Sequence, residues 1–278
     1  MAIQAVQHVR RMRGGAQGHL MRASDANFYI VKFQNNPQHL RVLANELLAS
    51  RLAAGIGLPV PDTQIVEVEK WLIEKTPELN LQMLGRAEPC AAGLQFGSRY
   101  VLDPREGQVF DYLPDESLER VRNIAEFAGI MVIDKWTCNA NGRQAVFWKK
   151  RYEQKYTASF IDQGYCFNAG EWTFPDSPLR GVYGRNSVYA GVTGWKSFEP
   201  WLTRVEESDL AWVGDCAQAV APEWYGGDWE AMEKLVATLM KRRSRVRELI
   251  RAFKESSRQP FPAWSEKTMA VRMVTGTA

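Results

Sequence analysis

Histidine and cysteine are scarce in this chain of 278 residues. It has three histidines, all within the first forty residues, and four cysteines that stand apart from one another. Zinc sites and disulfide frameworks usually place cysteines or histidines close together along the chain, so neither is expected here. A catalytic triad with a histidine from the later part of the chain is also excluded. Any chemistry is therefore expected to use carboxylates, amides, lysine and arginine.

Long apolar runs and a large net charge are also lacking. No apolar stretch approaches the roughly 20 residues of a membrane-spanning helix, and the first residues do not resemble a secretory signal. The 35 Lys and Arg against 32 Asp and Glu give a net charge of +3. That charge is too small to make the whole chain a nucleic-acid or membrane binder. We therefore expect a cytoplasmic globular protein without a membrane span.

Two regions of different character follow one another along the chain. The first hundred residues predict a sheet with one amphipathic helix, and the later residues predict mainly helices around a short hairpin. The sequence therefore predicts an α+β fold with two lobes, a mainly β N-lobe over 1–103 and a mainly helical C-lobe over 104–278. The predicted strands are 27–33, 63–68, 71–73, 94–102, 145–148 and 157–161, and the predicted helices are 40–56, about 117–136 and 228–254.

A lysine lies within an apolar strand. Lys32 ends the run Tyr-Ile-Val-Lys, and Glu46 lies fourteen residues later among the apolar residues of the next predicted helix. A buried unpaired charge costs several kcal/mol, so Lys32 requires a partner. Kinase-type folds pair a strand lysine with a helix glutamate to hold it against nucleotide phosphates. The alternative is an edge-strand lysine that reaches water, with Glu46 at the boundary of the helix.

A glycine-containing segment precedes that strand. Gly14, Gly15 and Gly18 lie ahead of Lys32. Successive backbone N–H groups in such a turn can bind phosphate. The spacing is not that of a Rossmann or Walker motif, and a flexible hairpin is the equally good alternative.

Polar residues cluster in two later segments that are close along the chain. A loop from Asp134 to Gln144 follows a predicted helix, and Asp162-Gln-Gly164 follows the next hairpin. A carboxylate such as that of Asp162 suits Mg²⁺, which binds carboxylate and phosphate oxygens together. Each segment alone is also an ordinary turn signal.

The predicted C-terminal helix carries a dense basic stretch. Residues 241–258 hold eight Lys or Arg and two Glu. They could contact nucleic acid or anionic lipid. The alternative is a solvated cationic face near a helix C-terminus, where the helix dipole favours positive charge.

Taken together, these segments resemble the HipA-like kinases, in their compact form. That family belongs to the protein-kinase-like fold, as do the type II phosphatidylinositol 4-kinases. The resemblance spans about residues 10–255, and it rests on five segments in the same order. They are Phe28–Phe33, Ala44–Ala49, Gly57–Pro61, Asp162–Gly164 and Pro222–Trp224.

The resemblance implies roles for several of these residues. Lys32 would contact the phosphates of ATP, Glu46 would orient Lys32, and Asp162 would bind Mg²⁺. Apart from the resemblance, the glycine turn with Gly15 and Gly18 is a candidate for binding the same phosphates through its backbone N–H groups.

One departure from the family pattern concerns catalysis. The family loop resembles D-x-x-x-x-N-x-D-R, in which the second Asp accepts the proton of the substrate hydroxyl and an Asn five residues later binds metal. Asp134 and Asn139 match, but Asn141 replaces the second Asp and Val146 stands five residues later. An amide cannot act as a base at neutral pH. Gln144 is a candidate for the missing metal ligand, and Asp134 is a candidate base.

The sequence therefore predicts an ATP- and Mg²⁺-dependent phosphotransferase that acts on a hydroxyl of a protein or small molecule. Two alternatives stay open. A pseudokinase would bind nucleotide or a protein partner without efficient transfer, and a nucleic-acid-binding regulator would use residues 241–258.

Overall fold

Strands dominate the first hundred residues. A computed structural model of the chain describes residues 2–265. Buried and less buried side chains alternate along residues 28–31 and 65–68, while several other strands bury three consecutive residues. The ten strands of the described residues, in chain order, are β1 Ile3–Arg11, β2 His19–Ala23, β3 Phe28–Lys32, β4 Thr63–Val68, β5 Asn80–Met83, β6 Arg86–Pro89, β7 Gly93–Arg99, β8 Gly107–Phe110, β9 Gln144–Lys150 and β10 Thr157–Ile161.

Helices dominate the rest. The eight α-helices within the part of the chain that the structure describes are α1 Val42–Gly55, α2 Lys70–Glu74, α3 Asp115–Leu118, α4 Glu126–Trp136, α5 Trp201–Glu206, α6 Leu210–Gln218, α7 Trp229–Arg242 and α8 Val246–Lys254. No helix among residues 2–265 is both long and apolar enough to cross a membrane.

Five strands close into a barrel. The order is β1-β2-β3-β7-β4, and a short parallel pairing of β1 with β4 closes it. Strands β5 and β6 form a separate hairpin, and β10-β9-β8 form a three-stranded antiparallel sheet. The chain passes from β7 to β8 through residues 100–106, and the polar loop before β9 and the turn after β10 meet at one end of the second sheet.

Two apolar cores hold these elements. One fills the barrel and includes Val31, Phe33 and Val66. The other is larger and joins α1 to the helices and the second sheet of the C-terminal part, with Leu47, Phe127 and Phe160 among its members. Helix α1 therefore connects the barrel region to the rest of the molecule.

Several sequence-based predictions of secondary structure are confirmed. The strands at 63–68, 145–148 and 157–161 and the helix near 40–56 all form. The strand prediction at 71–73 is wrong, because this segment is part of helix α2. Only Leu72 is buried there while Trp71 is half exposed, and three adjacent apolar residues fit a short helix as well as a strand.

Two predicted helices are interrupted. The helix expected from about 117 to 136 is divided into α3 and α4, with Val121 between them in a bridge to Tyr156. The helix expected over 228–254 is broken by a 3₁₀ turn at Arg243–Arg245. The predicted N-lobe and C-lobe extend to residues 1 and 278, and residues 1 and 266–278 lie outside the described part of the chain.

Candidate functional site

Three charged side chains meet between the barrel and the second sheet. Lys32 ends β3 and is 8% exposed, and Glu46 lies on α1 and is 2% exposed. The Lys32 ammonium donates to the Glu46 carboxylate and to Asp162 Oδ1, the latter at 2.8 Å. The strand–helix pairing that the spacing predicts is therefore present, and the structure adds Asp162 to it.

Glu46 also binds the backbone that follows Asp162. Its carboxylate accepts hydrogen bonds from the N–H groups of Gln163 at 3.1 Å and Gly164 at 2.9 Å. A β-carbon at position 164 would lie 2.8 Å from Val42 and 3.0 Å from Glu46 Oε1. Glycine is therefore required at the third position of Asp-Gln-Gly because the backbone approaches α1 this closely.

The charges of this cluster fix one another. Burial alone would lower the pKa of the Lys32 ammonium, but the carboxylates of Glu46 and Asp162 outweigh it and hold that pKa above its ordinary value. Burial alone would raise the pKa of Asp162, but Lys32 holds that pKa below its ordinary value. Lys32 is thus cationic and Asp162 anionic at neutral pH.

Gln144 also contacts the carboxylate of Asp162. Its Nε2 donates to Asp162 Oδ2 at 2.6 Å, because Gln144 begins β9 directly opposite Ile161 at the end of β10. Asp162 itself has a φ of 64°, a left-handed backbone that residues with a β-carbon rarely adopt. Such strain is often found at functional sites.

This donor set fits a magnesium–nucleotide complex. Mg²⁺ is usually held by one or two carboxylates together with phosphate oxygens. Asp162 offers a carboxylate, and Gln144 would offer an amide oxygen after its side-chain amide, whose Nε2 donates to Asp162, turns over. Within residues 2–265 no group of three or more His, Cys, Asp or Glu could hold a metal ion by itself. Mg²⁺ held here would also be bound by phosphate oxygens and water.

Asp134 lies in a buried ion pair. It is 1% exposed, and Arg143 is 3% exposed. Both carboxylate oxygens accept from the Arg143 guanidinium, and Oδ1 also accepts from Asn139 at 2.9 Å. Arg143 in turn donates to the carbonyl of Ile161 at 2.8 Å. The pair joins α4, the polar loop and the end of β10, and it engages both oxygens of Asp134, with two donors at Oδ1 and one at Oδ2.

The role of Arg143 could not be assigned from sequence. Its partner lies nine residues earlier, across a loop whose path no local pattern fixes. The sequence offered one indication of this pair, because the carboxylate of Asp134 lies on the apolar helix α4 and a buried carboxylate needs a cation.

Asn141 is at the exposed tip of the loop. Its backbone N–H donates to Asn139 Oδ1 at 3.0 Å, and its own Oδ1 accepts from the N–H of Gly142 at 2.8 Å. The side chain is an amide, so this position holds no group that could take a proton.

The glycine segment forms the turn between β1 and β2. Gly18 lies against β3, since an added β-carbon would be 2.9 Å from Ile30 and 3.8 Å from Cγ of Lys32. Gly15 lies farther along the turn, beside Gln38. The structure therefore brings Gly18 next to Lys32, while Gly15 contacts the segment that leads into α1.

Many cations of the 241–258 segment are used inside the protein. Arg242 is buried and donates to Asp176 and to two backbone carbonyls. Arg247 donates to Glu206 through two nitrogens. Cations held in this way are not available to phosphate groups of a nucleic acid, which reduces the support for that alternative.

Comparison with solved structures defines the fold. The Helicobacter pylori proinflammatory kinase CtkA is 14% identical with a TM-score of 0.53, and the match covers 88% of this chain and 99% of that chain. The structure of hydra Fam20 with sugar is 10% identical with a TM-score of 0.53, covering 94% and 88%. A comparison with curated proteins found no match. The protein therefore has the α+β, kinase-like fold predicted from its sequence.

The family follows from a second comparison. The model of a family described as HipA-like kinase matches residues 5–162, more than half of the chain. The chain belongs to the HipA-like kinase family, which confirms the resemblance found in the sequence. A function of the kinase type follows from this membership.

Proposed function

We propose that this protein transfers the terminal phosphoryl group of ATP to a hydroxyl of a protein or small molecule, with Mg²⁺. The observation that carries the proposal is the Lys32 ammonium held between Glu46 and Asp162, with Gly18 beside it. We propose residues 1–103 and 104–278 as the N-lobe and C-lobe on either side of this site. A cytoplasmic location is proposed as well, supported by four free thiols.

The proposed roles follow from charge and position. Lys32 would donate to phosphate oxygens, and Glu46 would keep its ammonium in place. Asp162 and Gln144 would hold Mg²⁺, which when bound would neutralise charge on the phosphates. Gly15 and Gly18 would present backbone N–H groups to the same phosphates. Such catalysis depends mainly on positioning and on stabilisation of charge.

A pseudokinase is the second candidate, and two observations favour it. Asn141 is an amide at the position of the family's base, and Asp134 has both oxygens bound by Arg143 and Asn139. In the transfer step the acceptor oxygen forms a bond to the γ-phosphorus, the bond from that phosphorus to the ADP oxygen breaks, and the hydroxyl proton passes to a base or to water. General-base assistance contributes about 10²–10⁴-fold to such a step, so we expect slow turnover.

ATP turnover tests the proposal. We expect the wild-type protein with MgATP to form ADP, or to label itself or an added protein mixture with γ-phosphate. Lys32→Met and Asp162→Asn should reduce that rate by at least about tenfold, and chelation of Mg²⁺ should abolish it. Lys241→Ala, at an exposed basic position on α7, should leave the rate unchanged and is the matched control.

The outcomes separate the two candidates. Binding of MgATP without turnover by the wild type, together with turnover by Asn141→Asp, would identify a pseudokinase. Turnover that persists in Asp162→Asn would contradict the assignment of the metal ligand. Failure of the wild type to bind MgATP would overturn the kinase and the nucleotide-binding pseudokinase, and would leave only a pseudokinase that binds a protein partner.

A further inference from the structure

Asn45 immediately precedes Glu46 on α1 and is completely buried. Its side-chain amide faces the segment that follows Asp162. The Oδ1 atom accepts from the indole Nε1 of Trp172 at 2.8 Å. The Nδ2 atom has three acceptors, which are the carbonyl oxygens of Gly164 at 2.9 Å, Cys166 at 2.9 Å and Ala169 at 2.8 Å. An amide nitrogen carries two hydrogens, so at least one of them is shared between acceptors.

The segment that Asn45 binds contains an unfavourable turn. Phe167, Asn168 and Ala169 are consecutive, and each has a φ of 58°. A left-handed backbone is disfavoured for residues with a β-carbon, and three in a row require support from the surrounding structure. Asn45 supplies that support, because its contacts with the carbonyls of Cys166 and Ala169 enclose the turn.

The same turn contacts the polar loop that carries Asn141. The N–H of Phe167 donates to the carbonyl of Thr137 at 2.6 Å, and the N–H of Asn168 donates to that of Cys138 at 3.2 Å. Asn45 is therefore linked to the Asp162 segment directly and to the polar loop through the turn.

We propose that Asn45 is a positioning residue that holds the 163–172 segment and the polar loop against α1, so that Lys32, Glu46 and Asp162 are assembled before nucleotide binds. The effect on nucleotide rests on the function proposed above. Because Asn45 and Glu46 are adjacent on one helix, α1 fixes both the backbone after Asp162 and the lysine that pairs with it.

Asn45→Asp tests this role with little change of shape. The substitution keeps an acceptor for Trp172 but turns a carboxylate oxygen toward three carbonyl oxygens. Ser50→Ala is the matched control, since Ser50 is buried on the same helix and lines a cavity with Thr63 and Arg99. Two quantities are measured, which are hydrogen–deuterium exchange of peptides covering 163–172 and the dissociation constants of MgATP and of ATP in excess EDTA.

We expect the change in exchange to be confined to one segment and the loss of nucleotide affinity to depend on Mg²⁺. Exchange in 163–172 should accelerate at least about tenfold in Asn45→Asp and stay unchanged in Ser50→Ala. The dissociation constant of MgATP should rise at least about tenfold, while that of metal-free ATP should change less than about threefold. Trp172→Phe, which removes one of the four hydrogen bonds, should produce a smaller acceleration confined to the same segment.

Other results would overturn the proposal. Unchanged exchange in 163–172 would contradict the proposal that Asn45 holds this segment. An equal loss of affinity for MgATP and for metal-free ATP would show that Asn45 has a general structural role instead. If Asn45→Asp does not fold, Trp172→Phe decides by the same exchange measurement. If the wild type does not bind MgATP, the proposed function fails, and the exchange measurement alone decides whether Asn45 holds the segment.

Discussion

Lys32 is the residue around which the site is organised. Its pairing with Glu46 could be predicted because a lysine within an apolar strand needs an anion, and Glu46 lies among the apolar residues of the following helix. Asp162, its other partner, lies 130 residues later along the chain, and the contact between them depends on how the barrel packs against the second sheet. No local pattern carries that information.

The buried pair of Asp134 and Arg143 leads to a prediction about stability. Asp134→Asn would leave the Arg143 guanidinium buried without its anion, and breaking such a pair costs about 3–5 kcal/mol. We expect urea unfolding to show a loss of that size. Glu230→Gln breaks the exposed pair with Lys234 and should cost no more than about 0.5 kcal/mol. A loss below about 1 kcal/mol for Asp134→Asn would refute a structural role for the pair.

His19 leads to a prediction about pH. It is fully buried and bonded to the carbonyl of Asn80 and to His8. Burial, together with the neighbouring charges of His8 and Arg11, lowers the pKa of His19 to about 4 from its ordinary value of 6.5. The unfolded chain therefore binds more protons between these two pH values, so the unfolding free energy falls as the pH decreases through them.

The test compares His19→Gln with the wild type. From pH about 7 to about 4.5 the wild type should lose about 2 kcal/mol more unfolding free energy than the variant. Parallel pH profiles for the two proteins would show that His19 does not contribute.

At the scale of elements, helix α1 does most to position the site, because it carries Glu46. It packs into the larger core while its residue Glu46 reaches β3 and the Asp162 segment. Its periodic apolar residues made it predictable. The interruptions of the two later predicted helices, near Val121 and at Arg243–Arg245, were not predictable. The apolar spacing continues through both breaks, and tertiary contacts decide where each helix ends.

The close packing of α4 against α5 leads to a third prediction. A β-carbon at Gly129 would collide with the ring of Trp201 and would lie 2.7 Å from Leu58. Gly129→Ala should therefore lower the unfolding free energy by about 1–2 kcal/mol, since overpacking exceeds the gain in helix propensity.

Gly214 is the matched control, because it lies within α6 and an added β-carbon would meet nothing within 4 Å. Gly214→Ala should raise the unfolding free energy by about 0.5–1 kcal/mol. Equal effects of the two substitutions would contradict the packing argument.

At the scale of the whole molecule, α1 packs between the barrel strands β4 and β7 and the helices α4 and α6, and the site lies beside α1. The kinase-like fold could be predicted because five short segments occur in the family's order. Three features could not be predicted from the sequence, which are the closure of the barrel, the β5–β6 hairpin and strand β8. Strand β5 buries only Leu81, β6 and β8 bury no residue fully, and β1 is mostly exposed. Their structure depends on pairing with distant strands rather than on a local pattern.

Calorimetric titration with MgATP is the most direct test of whether Lys32, Glu46 and Asp162 form a nucleotide site. We expect one site in the wild type. In Lys32→Ala and in Asp162→Asn the dissociation constant should be at least about tenfold higher, which is a loss of about 1.4 kcal/mol of binding free energy. Lys241→Ala should bind as the wild type does. Absence of binding by the wild type, or undiminished binding by both site variants, would contradict the assignment of this cluster as the MgATP site.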